Sequence, residues 1–240
     1  MKNFFFLFFS FLFSLSVGAQ TCKPTAKYVL ANGEETEDAS AGVSAPIQAT
    51  FAANPEDIDG WDARYEWKVY ATEDTADVLV HRFEENLEFT FTRSGSFTVR
   101  LMATFTKDDS EVTYDSQTES TSFSVVIPES KLEMPNAFSP NGDAHNNIYK
   151  AKSTHQSIVS FRAMIFNRWG QKLYEWTDIN DGWDGKYKGR TVKDGVYFVN
   201  VTAKGADGHV YHIRKDVNVL TGVNNNGTGD TSTTSTTTTP

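Results

Sequence analysis

Residues 89–105 read FTFTRSGSFTVRLMATF, and their patterning decides the fold. Phe97, Val99, Leu101, Ala103 and Phe105 take every second position, with Thr98, Arg100, Met102 and Thr104 between them. Just upstream, Leu87, Phe89 and Phe91 alternate with Glu88, Thr90 and Thr92. A period of two places one apolar face on a core and leaves the other wet, which is a half-buried β-strand. Gly95, within Arg-Ser-Gly-Ser, fits a tight turn between the two runs. The alternation returns at Phe123, Val125 and Ile127, at Val159, Phe161, Ala163 and Ile165, and at Tyr197, Val199, Val201 and Ala203. These runs are short and bounded by Gly, Asp, Asn or Ser, and no window of helical length holds a 3.6-residue period. The expectation is an all-β, antiparallel, sandwich-like chain.

Working outward, two units emerge. The first spans residues 24–127 and the second 132–222. Between them, residues 128–135 read as a linker, because Pro128 and Pro135 donate no ladder hydrogen bond and flank charged residues. Residues 223–240 are rich in Thr and Ser and read as a disordered tail, since they cannot bury enough apolar surface to offset their ordering entropy. At the other end, Lys2 precedes residues 4–17, in which only Ser interrupts Phe, Leu and Val, followed by Val17-Gly18-Ala19. That is a secretory signal peptide, residues 1–19, with cleavage expected after Ala19. The apolar run is too short for a transmembrane helix, which needs roughly 20 apolar residues, and no other stretch competes. The rival is lipidation at Cys22, against which stands the absence of a small residue directly before the Cys.

The chain has 240 residues, a net charge of -9 and a single Cys, so no intrachain disulfide forms and stability rests on packed cores. The acidic balance argues against a nucleic-acid or anionic-membrane surface.

In the first unit, Tyr65, Trp67 and Val69 share one strand face. Tyr65-Glu66-Trp67 followed by Phe91 to Leu101 resembles the PKD repeat, an immunoglobulin-like module, although the Gly-Asp-Gly turn usual after the Trp strand is missing. Trp67 is expected in the core. Trp61, in a loop, is the better candidate for stacking on a carbohydrate.

In the second unit, Asn167-Arg168-Trp169-Gly170 looks like a hairpin turn, and Asp194-Gly195 and Asp207-Gly208 are turn signals. The ordered runs PNAFSPNGDAHNN, IFNRWGQKLYE, WDGKYKG and DGVYFVNVTA closely resemble the gliding motility-associated C-terminal domain of Bacteroidetes, the CHU_C-like type B sorting domain of the type IX secretion system. The residues that carry the match are Pro135, Asn136, Phe138, Ser139, Pro140, Asn141, Gly142, Asp143, Phe166, Asn167, Arg168, Trp169, Gly170, Trp183, Asp184, Gly185, Asp194, Gly195 and Tyr197. Ala144 and Asn147 depart from the family's Gly and Asp, and about twenty residues follow Leu220. The resemblance implies a second β-sandwich read by an outer-membrane secretion translocon after Sec export. The protein then ends at the cell surface or outside the cell, or in the periplasm if the host lacks the translocon.

Residues 136–147 raise one competing chemistry. Asn141, Asp143, Asn146 and Asn147 are candidate oxygen ligands of a weak Ca2+ site, but Asp143 alone is charged, where calcium usually takes more than one carboxylate. The plainer reading is a turn of Asx bonds around Gly142. No other cofactor is expected. Asp181, Asp184 and Asp194 surround Trp183, yet each adjoins a Gly as turn residues do, and no catalytic set converges. His209 and His212 fall on opposite strand faces and share no metal. Trp169, Trp176, Trp183 and Tyr187 are the candidate glycan-stacking set. The expected function is therefore non-enzymatic: an exported protein whose C-terminal domain is a sorting or anchoring signal. The alternative is a surface adhesin in which the immunoglobulin-like domain binds a glycan or envelope protein and the C-terminal domain is structural.

Overall fold

The computed structural model describes residues 20–143 and 145–222. The signal segment with Ala19, the departure at Ala144 and the tail 223–240 lie outside the described residues. All regular structure among the described residues is β. They divide into two compact units that part between Val126 and Ile127, with Val43–Ile47 and Phe91–Gly95 grouped with the second.

The first unit holds β1 (Thr21–Cys22), β2 (Thr25–Val29), β3 (Glu35–Thr36), β4 (Ile47–Ala52), β5 (Pro55–Glu56), β6 (Asp62–Ala71), β7 (Asp74–Arg82), β8 (Asn86–Phe91), β9 (Gly95–Lys107), β10 (Ser110–Asp115) and β11 (Phe123–Ile127). One sheet runs β3-β2-β4-β8; another runs β10-β9-β6-β7, and β11 also pairs with β9. The period-two residues of β9 are buried from Phe97 to Phe105, as the alternation requires. Phe51 of the first sheet and Trp67 of the second bring their ring centroids to 5.9 Å, so the two sheets share a core. Trp67 is fully buried, and its Nε1 donates to the Glu85 carbonyl at 3.1 Å. That bond removes the cost of about 1–3 kcal/mol that a buried, unmatched donor carries. Trp61 is half-buried. Cys22 is buried in β1 opposite Pro55.

The second unit holds β12 (Ala137–Phe138), β13 (Ile158–Phe166), β14 (Lys172–Trp176), β15 (Lys186–Tyr187), β16 (Arg190–Thr191), β17 (Gly195–Gly205) and β18 (Val210–Val219). Its main sheet runs β12-β18-β17-β13-β14. The pairing is antiparallel except that β12 lies parallel to β18. Facing this sheet is a layer of loops and bridges: Met134, Tyr149 and Trp183 are buried with Val199, Val201 and Val217 in one core, and Tyr149 and Trp183 exchange backbone bonds of 2.8 and 2.9 Å.

Two expectations change on contact with the structure. Val159 was expected on the apolar face of β13, but the β13–β17 register shifts between Ile158 and Ser160. This bulge puts Ile158 in the core at 7% exposure and leaves Val159 half-buried. Residues 128–135 are also more than a tether. Lys131 and Gln156 exchange two backbone bonds of 2.9 Å, Met134 is 2% exposed in the core, and Ser130 N donates to Asp207 at 3.0 Å.

Candidate functional site

The first motif sits where the described chain ends. The Asn136 carbonyl accepts Asn218 N at 2.9 Å, the Phe138 carbonyl accepts Leu220 N at 3.2 Å, and Ser139 Oγ donates to the Leu220 carbonyl at 2.5 Å. Pro135 gives its carbonyl to the Tyr149 hydroxyl at 3.0 Å. Beyond Pro140 the chain folds on itself. Asp143 Oδ1 accepts His145 N at 2.7 Å, and Oδ2 accepts Asn141 Nδ2 at 2.8 Å. Asn141 Oδ1 accepts Asp143 N at 3.1 Å, Asn147 Oδ1 accepts Gly142 N at 2.8 Å, and Asn147 Nδ2 bonds the Asp143 carbonyl. Asn146 gives its carbonyl to Ser139 N at 2.8 Å. Gly142 holds φ +81°, which a side chain resists. The His145 N–H and the Asn141 amide hold the Asp143 carboxyl below its ordinary value. Both Asp143 oxygens already accept N–H donors, so a cation there would compete with the turn for them.

The third motif locks onto the first. Trp183 is fully buried, its ring 5.3 Å from Phe138 and 5.5 Å from Tyr197, with Nε1 donating to the Lys186 carbonyl at 2.9 Å. Gly185, at φ +76°, lies against Pro140; a Cβ there would come within 2.7 Å of the proline ring. Asp184 accepts Lys186 N at 3.0 Å and Lys186 Nζ at 2.9 Å. Partial burial acts to raise the Asp184 carboxyl, and the Lys186 bonds outweigh it and hold it low.

The second and fourth motifs share a different surface. Asn167 closes the β13–β14 turn: its Oδ1 accepts Trp169 N and Gln171 N, each at 3.0 Å, and Gly170 follows at φ +77°. Phe166, at the end of β13, is half-buried. Arg168 lies over the Trp169 ring, 4.7 Å from its centroid, and Trp169 is 77% exposed. Asp194 Oδ1 accepts the Thr221 hydroxyl at 2.5 Å and its N–H at 3.1 Å, which hold the carboxyl below its ordinary value. Gly195 opens β17 at φ +144°. Burial pushes the Tyr197 phenol up and Arg168 draws it partly back; the hydroxyl donates to the Lys193 carbonyl at 2.9 Å. Arg168, Trp169, Tyr187, Lys193, Asp194 and Tyr197 are among the walls of a cleft of about 680 Å³.

The structure thus gathers Phe138 of the first motif and Trp183 of the third in the core and the second and fourth motifs around the cleft, with Tyr197 in both and Tyr187 of the third motif also on the cleft wall. It separates the glycan-stacking set, since Trp176 and Trp183 are buried and only Trp169 and Tyr187 reach the cleft. His209 follows the Asp207 turn and packs on Tyr211 at 4.4 Å. Among the described residues, no three His, Cys, Asp or Glu side chains gather as metal ligands. The alternation pattern missed Val196 and Phe198, which are 48% and 41% exposed in the cleft. The signal was present in Val196-Tyr197-Phe198-Val199, where β17 is apolar on both faces.

Residues 132–213, within the second unit, match the family model of the CHU_C type IX secretion signal domain. No curated protein matches the chain. Among solved structures, the crystal structure of a tetra-tandem repeat in the extending region of a large adhesion protein aligns over 84% of this chain and 68% of that one. The two are 12% identical, with a TM-score of 0.26.

Proposed function

We propose that residues 132–220 are the export address of a non-enzymatic secreted protein. An outer-membrane translocon reads them after Sec export, and the first unit is the cargo shown at the surface or released. The match of residues 132–213 to a type IX secretion signal domain carries this reading. The packing supports it: Phe138, Trp183 and Tyr197, from three motifs, meet through ring contacts of 5.3 and 5.5 Å, so the address is a folded object rather than a linear tag. No helix among the described residues is long and apolar enough to cross a membrane. In a host with the translocon, the full chain and a version ending at Pro128 are compared by fractionation and by protease shaving of intact cells. Residues 128–240 are also fused to an unrelated periplasmic passenger. Surface exposure of the full chain and the fusion, with the shortened chain left in the periplasm, supports the address. A fusion that stays in the periplasm refutes it.

A further inference from the structure

We infer that the cleft between the Asn167–Gly170 turn and the start of β17 binds an acidic saccharide, a function separate from export. Three observations converge. First, the cleft's volume of about 680 Å³ falls in the range of small-ligand sites, and it is walled mainly by aromatic and aliphatic side chains. Trp169 projects into solvent at 77% exposure, and Val196 and Phe198 stand exposed beside it. Isolated exposed apolar residues are ordinary, but several on one concavity mark a binding surface.

Second, the aromatic rings are presented rather than packed. Tyr187 is fixed by a 3.0 Å bond from Gln171 Nε2 to its hydroxyl, with Lys188 Nζ 5.4 Å from its ring centroid. Trp169 carries Arg168 over its ring. The C–H face of a pyranose carries weakly positive hydrogens, which suit the negative face of an aromatic ring.

Third, the charge is of the opposite sign to the rest of the chain. The protein's net charge is -9, yet this cleft presents two cations, Arg168 and Lys193, against one carboxylate, Asp194, whose Oδ1 accepts from Thr221. Across Phe198 a second groove of about 360 Å³ sets Arg214 against Asp216, while Lys215 on its wall gives its Nζ to the Met134 carbonyl at 3.0 Å. Among the described residues, Arg168, Lys193 and Arg214 form no ion pair. The cleft amides are spent on each other, since Asn167 Nδ2 donates to Gln171 Oε1 at 3.0 Å. The cleft's formal charge is thus positive, two cations against one carboxylate, and Arg168 and Lys193 suit the carboxylate, sulfate or phosphate of a sugar more than its neutral hydroxyls.

The full chain without its signal peptide is titrated by calorimetry with oligogalacturonate, its methyl ester, a sulfated and a phosphorylated oligosaccharide, and oligoglutamate. Binding of at least one acidic saccharide is expected, weakened about tenfold by Trp169→Ala. It should be weakened several-fold by Arg168→Gln and Lys193→Gln, and by added salt. Each variant should keep its melting temperature, because these side chains are exposed. Failure of every acidic saccharide overturns the inference. So does equal binding of the methyl ester or of oligoglutamate, or binding that Trp169→Ala leaves intact.

Discussion

Gly185→Ala should destabilise the second unit far more than Gly189→Ala. Both glycines hold nearly the same left-handed conformation, at φ +76° and +77°. An alanine pays the backbone cost of that region at either position, about 1–2 kcal/mol. The surroundings differ. At Gly189 no atom lies within 4 Å of an added Cβ. At Gly185 the Cβ would lie 2.7 and 2.8 Å from two Pro140 ring carbons and 3.3 Å from Phe138 Cζ. Pro140 cannot rotate away, because its ring is part of the backbone, and its neighbour Ser139 is bonded to Leu220. Relief therefore has to move Phe138 off Trp183 or shift the strand end at Leu220. Overpacking of this kind costs about 1–3 kcal/mol, so Gly185→Ala totals about 2–5 kcal/mol and exceeds Gly189→Ala by about 1–3. For a unit of this size each kcal/mol moves Tm by roughly 4–8 °C. Thermal melts followed by tryptophan fluorescence should therefore separate the two variants by at least roughly 4 °C. Equal melting temperatures would refute the tight seating of the Trp183-Asp184-Gly185 turn on the Phe138–Pro140 segment.

Three further outcomes follow. Hydrogen bonds from Thr221, His145 and His209 hold the Asp194, Asp143 and Asp207 carboxyls low in the folded state. A depressed folded value means the stabilisation is present above the unfolded value of about 3.9 and is lost below it. Urea midpoints should fall below about pH 4, with a smaller fall in Asp194→Asn. Calcium at millimolar concentration, or its removal with EDTA, should leave Tm unchanged, because both Asp143 oxygens accept N–H donors within the turn; a calcium-dependent rise in Tm would defeat the turn reading. Burial pushes the Cys22 thiol up to about 12, so a thiol reagent at neutral pH should label it only after unfolding, and fast labelling of the native chain would show that β1 is open.

The β-sheets were legible because a half-buried strand writes its two faces into the sequence as alternation, as in Phe97 to Phe105. The bulge at Ile158 was not, since one extra residue in a strand looks like any other until its partner is known. The layer opposite the second sheet was equally silent. Tyr149 and Trp183 are held there by a single bridge between segments with no period of their own. Residues 128–135 carry two kinds of mark. Proline and charge are real marks of a connection, but Met134 and Leu132 lie between them and supply apolar contacts to the second core. Asp194 shows the limit for the site itself. Its turn beside Gly195 was visible, while its bond to Thr221 closes across 27 residues.

The motifs that carry the family resemblance divide physically into two kinds. Phe138 and Trp183 fill the core, Gly185 lets Pro140 approach, Asn167 closes its own turn, and Ser139 and Asp194 clamp Leu220 and Thr221. Each of these is explained by folding alone, and replacing it should be felt first as lost stability. Arg168 and Trp169 are different. They stack on each other at the tip of a turn that Asn167 and Gly170 already hold, and the fold gains little from a tryptophan left 77% in water. An exposed indole and a cation that pairs with no carboxylate among the described residues are groups with free interaction capacity, and they stand on the rim of the cleft where Lys193 adds a second such cation. Substitutions at Arg168 and Trp169 should therefore separate recognition from stability, whereas those at Gly185 or Trp183 cannot.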